Sequence, residues 1–119
     1  MAWINTTHDD SHQGRVVTVE IDNEAKRNAV HADAARELQQ TFEALATDDN
    51  LRVVILRGAG DKAFVAGADI NVMQHLVSAD DARAFITGAH LAIKAIRDCP
   101  VPTIARLTGA CFGAGAEIA

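Results

Sequence analysis

A chain of 119 residues, 49% of them hydrophobic and with a formal net charge of −5, is long enough for one domain with a real core. Its acidic balance argues against nucleic acid or an anionic membrane as partner, because both are bound through basic surface. No apolar run approaches the roughly 20 residues needed to span a bilayer. Residues 1–12 are too polar for a secretory signal, and Cys99 and Cys111 sit in a chain without export features, so a reducing compartment, the cytoplasm, is expected.

Residues 1–14 read as a polar lead-in to a domain over residues 15–119. His8 and His12 have the i, i+4 spacing of two helical metal ligands, but no third ligand accompanies them and the stretch has no helical period. A solvated tail with no metal site is expected. Arg15-Val16-Val17-Thr18-Val19-Glu20-Ile21 alternates and is β-branched, which predicts a strand broken by Asp22-Asn23-Glu24. A helix follows over residues 32–46, where Ala35, Leu38, Phe42 and Leu45 make one apolar stripe. Asp48-Asp49-Asn50 belongs to a turn, since acidic groups are unfavourable at a helix C-terminus. Arg52-Val53-Val54-Ile55-Leu56-Arg57 reads as a strand buried on both faces. Strand, helix and strand in this order predict an α/β layer structure.

Gly58-Ala59-Gly60-Asp61 closes that strand, and the first of two small-residue turns follows, Phe64-Val65-Ala66-Gly67-Ala68-Asp69-Ile70. A short helix is predicted over residues 69–75. Ser78-Ala79-Asp80-Asp81 resembles a capping box and opens a helix with Ala82, Phe85, Ile86, Ala89, Ile93 and Ile96 on one face, ended before Pro100. Residues 101–107 predict the next strand, with Pro102 at its entrance. The second turn is Gly109-Ala110-Cys111-Phe112-Gly113-Ala114-Gly115-Ala116-Glu117. The sequence stops at Ala119, about half a turn into a helix that has buried nothing, so the chain is expected to be the front part of a longer domain and inactive by itself.

The two turns carry the chemistry. Each follows a strand and enters a helix, so each exposes N–H groups without intrahelical partners, and small side chains let a ligand oxygen approach them. Two such turns facing each other would form an oxyanion hole. Glu117 would stand beside it as a carboxylate; otherwise it is an ordinary first-turn glutamate. Rival motifs fail. Gly113-Ala114-Gly115 has Ile118 where the dinucleotide fingerprint needs a small residue, and Gly58-Ala59-Gly60-Asp61-Lys62 lacks the P-loop ending. Neither Ser11 nor Ser78 sits in a nucleophile elbow. Cys111 reads as a small buried hydrophobe, and His31, His75 and His90 as surface or core filling.

Residues 15–119 resemble the N-terminal part of the crotonase family, the enoyl-CoA hydratase/isomerase superfamily. The resemblance is carried by four segments in order: Asn23 to Val30 with its Asn-Ala pair, Lys62 to Ile70, Pro100 to Gly109, and Cys111 to Ala119. It implies an α/β fold, a crotonase-like spiral of ββα units, truncated here before the core is completed. It implies that the N–H groups of Ala68 and Ala114 form the oxyanion hole and that Glu117 is the first of two catalytic glutamates, the second lying beyond Ala119. The loop of Ala66, Gly67, Ala68, Asp69, Ile70 and Asn71, with Gly113 and Ala114, would contact the CoA thioester. Two departures stand out. Ala114 replaces the usual glycine and brings a methyl group toward the thioester, and Asn71 replaces a frequent lysine and so loses a charge contact with CoA phosphate.

The function implied is foremost hydration of a 2-enoyl-CoA, with isomerisation of an enoyl-CoA or hydrolysis of an acyl-CoA thioester as alternatives on the same scaffold. An acyl-CoA-binding or assembly subunit without activity is the alternative from another class. RNA binding, attached to some members, finds little support in the acidic balance. No cofactor is implied beyond the coenzyme A of the substrate, and a homotrimer or dimer of trimers is the usual assembly.

Overall fold

The computed structural model describes residues 2–11 and 13–119. Among the described residues the chain forms six strands and four α-helices: β1 (Ile4–Asp9), β2 (Arg15–Ile21), α1 (Ala32–Leu45), β3 (Leu51–Gly58), β4 (Ala63–Val65), α2 (Ile70–Gln74), α3 (Ala79–Arg97), β5 (Thr103–Arg106), β6 (Ala110–Cys111) and α4 (Ala114–Ile118). A four-stranded sheet runs in the order β1-β2-β3-β5, and β4 and β6 form a separate two-stranded sheet. β2, β3 and β5 pair in parallel through helical crossovers, as predicted for an α/β chain, and β1 adds antiparallel to β2.

β1 corrects the sequence reading, which made a solvated tail of this stretch. Ile4-Asn5-Thr6-Thr7-His8-Asp9 is exposed beyond Ile4, so it carries no alternation that burial could have imposed. Its order comes from the ladder to β2, Ile4 against Ile21 through Asp9 against Val16. The Glu37 carboxylate of α1 adds an anchor, accepting the Trp3 N–H at 3.1 Å. His8 lies exposed on this edge strand, and the His12 half of the spacing falls outside the described residues. Beyond the strand, Arg15 bridges Asp10 and Asp48, each at 2.9 Å. The Arg15 hydrogen bond holds the Asp10 carboxyl below its usual range. Asp48 also accepts the Asn50 N–H at 2.9 Å, so the acidic run closes a turn, as its position after α1 predicts.

The core joins β2 (Val17, Val19, Ile21), β3 (Val54, Leu56) and the stripe of α1 (Ala35, Leu38, Phe42). β3 is buried less than its composition suggests: Leu51, Val54 and Leu56 are buried, whereas Val53 and Ile55 on the opposite face are only half-buried. α3 departs in the same way. Ala92 is its one buried residue among those described, and Ile86 in the predicted stripe is 52% exposed. Together with Ile104, Leu107 and Phe112, each more than half exposed, these are apolar positions that this length of chain leaves uncovered.

α3 begins as its sequence requires. Ser78 Oγ accepts the Asp81 N–H at 3.0 Å, and Asp81 reaches back to the Val77 N–H at 3.4 Å, one residue earlier than a capping box would place it. Ser78→Ala is expected to cost about 1 kcal/mol, read as a lowered denaturant midpoint at unchanged slope. A midpoint equal to that of the parent would mean the cap contributes nothing here.

Candidate active site

Three backbone hydrogen bonds lock the first turn against the segment before α1. The Arg27 carbonyl accepts from Ala66 N–H (3.1 Å), Val30 N–H donates to the Gly67 carbonyl (3.0 Å), and Asp69 N–H donates to the Val30 carbonyl (3.0 Å). Behind them sits Asn28, 1% exposed and in the left-handed region at φ 59°. Its Nδ2 donates to the carbonyls of Ala59 and Ala63, both at 3.0 Å, and its Oδ1 accepts the Asn23 N–H at 2.9 Å. One buried amide thus ties the loop before α1 to the end of β3 and the start of β4. Asn tolerates that backbone conformation better than most residues and has donors and an acceptor to spend there.

Two glycines set the end of the second turn, where it enters α4. Gly113 precedes α4 with φ 53°, a conformation that L side chains rarely adopt. Gly115 is dictated by packing instead, since a Cβ there would lie 1.9 Å from the Val65 carbonyl oxygen of β4. This contact brings the start of α4 down onto β4, the strand that leads into the first turn, and so makes the two turns neighbours.

Between them opens a cavity of about 300 Å³. The turns contribute Ala68, Ala114 and Glu117; the entrance of α1 contributes Val30 and His31; α3 contributes Phe85, Ile86 and His90. The three residues singled out from sequence, more than 45 positions apart at the extremes, therefore meet at one wall. Among the described residues, neither the Ala68 nor the Ala114 N–H donates to a protein oxygen. Glu117 is exposed, with no ion pair or hydrogen bond to its carboxylate among the described residues. Two partnerless amides and a carboxylate at one cavity have the parts to hold an oxygen that gains negative charge and to take up a proton.

A second cavity, of about 330 Å³, is lined by the first turn and the loop before α1. Ala66, Gly67, Ala68, Asp69, Ile70 and Asn71 all line it, as does the cationic pair Lys26 and Arg27. Ala68 borders both cavities. Asp69 is buried; its Oδ1 accepts the Asn71 N–H at 2.9 Å, and Lys26 Nζ lies 3.4 Å from its Oδ2. Gly113 sits beside the first cavity as the residue before α4 and is not part of its lining. A larger hollow of about 750 Å³ between α1 and α3 shares Phe85 with the first cavity and holds none of the site residues expected from sequence. Among the described residues no three His, Cys, Asp or Glu side chains come together as metal ligands, and no helix is long and apolar enough to cross a membrane.

Sequence reading missed His31 and His90 as cavity residues, having assigned both to surface or core filling. It gave no site role to the pair Lys26 and Arg27, and it used Asn28 only as half of the Asn-Ala pair that carries the resemblance. His31 carried a usable signal, since it stands where α1 needs a capping acceptor. His90 carried none, because only the packing of α3 brings it near the turns.

The chain matches the family model described as enoyl-CoA hydratase/isomerase over residues 11–119. It is 33% identical over 107 residues to the short-chain-enoyl-CoA hydratase of Clostridium acetobutylicum, covering 90% of this chain and 41% of that protein. The crystal structure of an enoyl-CoA hydratase/carnithine racemase from Magnetospirillum magneticum superposes with a TM-score of 0.92 at 37% identity, over 100% of this chain and 43% of that one. An enoyl-CoA hydratase from Bacillus anthracis gives 0.85 at 30% identity, over 96% and 43%. This chain therefore belongs to the enoyl-CoA hydratase/isomerase family, and it spans about two fifths of the length of these relatives.

Proposed function

We propose that a protein carrying this chain processes acyl-CoA thioesters, and foremost adds water to the double bond of a 2-enoyl-CoA. The observation that carries this reading is the convergence of Ala68, Ala114 and Glu117 on one cavity. Hydration builds negative charge on the thioester oxygen. The Ala68 and Ala114 N–H groups would receive that oxygen, at a typical worth of about 3–4 kcal/mol for each donor. The Glu117 carboxylate would orient the attacking water and accept its proton as the water oxygen bonds the β carbon. The enolate would then take a proton at its α carbon from the second glutamate that the resemblance implies beyond Ala119. The acyl chain would occupy the cavity walled by Phe85 and Ile86. The CoA portion would cross Ala68 into the second cavity, where Arg27 would face phosphate charge and Lys26 would do so beside its ion pair with Asp69. No resident cofactor enters this scheme, because coenzyme A arrives as part of the substrate.

The test is incubation of full-length protein with crotonyl-CoA, with the products separated. Formation of 3-hydroxybutyryl-CoA is expected. Free CoA would make the protein a thioester hydrolase, migration of the double bond an isomerase, and binding without conversion an acyl-CoA-binding subunit.

A further inference from the structure

His31 occupies an unusual place in the acyl-side cavity. Its Nδ1 accepts the Ala34 N–H at 3.2 Å, capping α1. A ring nitrogen that accepts carries no proton, so in the neutral ring the single N–H is on Nε2. Trp3 holds the same ring edge-on, with centroids 4.4 Å apart and planes at 84°. An amide of α1 and the aromatic ring just before β1 thus fix both the tautomer and the tilt of the imidazole. Among the described residues nothing accepts the Nε2–H. The ring lines the cavity beside Val30, Phe85 and Ile86, where a donor without an acceptor is unfavourable once water is displaced. His90 adds a second imidazole to the same lining.

A plain alkyl acyl chain would fill this cavity and leave the donor unmatched. An acyl chain with an oxygen substituent would match it. We infer that the cavity selects 2-enoyl thioesters whose acyl chain carries an oxygen acceptor beyond the reacting carbons, with the Nε2–H of His31 as the specificity-determining donor. This inference rests on the reading of the site as an acyl-CoA site and adds the class of acyl group.

The experiment compares kcat/KM of full-length protein for crotonyl-CoA, 4-hydroxycrotonyl-CoA and glutaconyl-CoA, the last bearing a terminal carboxylate. At least one oxygenated substrate is expected to exceed crotonyl-CoA by about 10-fold, the typical worth of one well-placed hydrogen bond. Which of the two does so distinguishes a hydroxyl from a carboxylate ligand, and either supports the inference. His31→Asn keeps a capping oxygen for α1 and is too short to replace the ring donor. It is expected to lower the ratio of oxygenated to plain substrate about 5- to 10-fold. A parent enzyme that turns over crotonyl-CoA without preference overturns the inference and leaves the proposed function standing. A His31→Asn loss shared equally by all three substrates overturns it too, because a purely structural role would act on every substrate alike. No conversion of any of the three overturns both.

Discussion

Glu117→Gln in full-length protein is expected to lower kcat for 2-enoyl-CoA hydration by about a hundred- to ten-thousand-fold, the range for loss of a positioned general base. KM should move far less. The amide is nearly isosteric, and Ala68 and Ala114, which would carry the thioester oxygen, contribute only backbone N–H groups that the substitution does not touch. The backbone around the variant should hold as well, since α4 is placed by the Gly115 contact with Val65 and by the Glu117 N–H donating to the Gly113 carbonyl at 3.1 Å. Steady-state kinetics on both proteins decides the matter. A kcat within a few-fold of the parent would remove Glu117 from the mechanism. A large rise in KM with kcat unchanged would make it a binding residue instead.

The second large effect is on stability and falls on Asn28. Asn28→Ala would leave the carbonyls of Ala59 and Ala63 and the N–H of Asn23 without their side-chain partner in a place that water scarcely reaches. Each stranded buried group costs about 1–3 kcal/mol, and alanine is also less tolerant than asparagine of φ 59°. A combined loss of about 3–5 kcal/mol is expected, since such contributions do not add fully. Denaturant titration of full-length protein measures it, and a loss under about 1 kcal/mol would mean that the loop relaxes to satisfy these groups otherwise. Activity should fall with stability, because Asn28 lies in the segment whose Arg27 and Val30 hydrogen bonds hold the first turn. Asn28→Asp is no rescue: it keeps an acceptor for Asn23 but turns a carboxylate oxygen toward two carbonyls.

These two residues differ in how readily the chain discloses them. Glu117 follows a run of glycines and alanines that only a close backbone approach explains, so its position relative to the turn could be read directly. Asn28 looks like one polar residue in a polar loop, and nothing in Ala25-Lys26-Arg27-Asn28-Ala29-Val30 marks it as buried. Its partners at positions 23, 59 and 63 come from three separate segments. β1 was hidden for a related reason. A strand exposed on both faces has no apolar alternation, and its pairing depends on an edge of β2 that composition cannot reveal.

By itself the sequence determined the local features: the strands with β-branched runs, the apolar stripe of α1, the Ser78 start of α3 and the two small-residue turns. Each depends on neighbours a few positions away, through backbone propensity, side-chain period or capping chemistry. Only the tertiary structure decided that Ala68, Ala114 and Glu117 share a wall, that Ala68 borders two cavities, and that His31 and His90 face the same space as the carboxylate. Those relations join residues tens of positions apart. They are set by packing, the Gly115 contact with β4 and the Asn28 clasp above all, which no window along the chain contains.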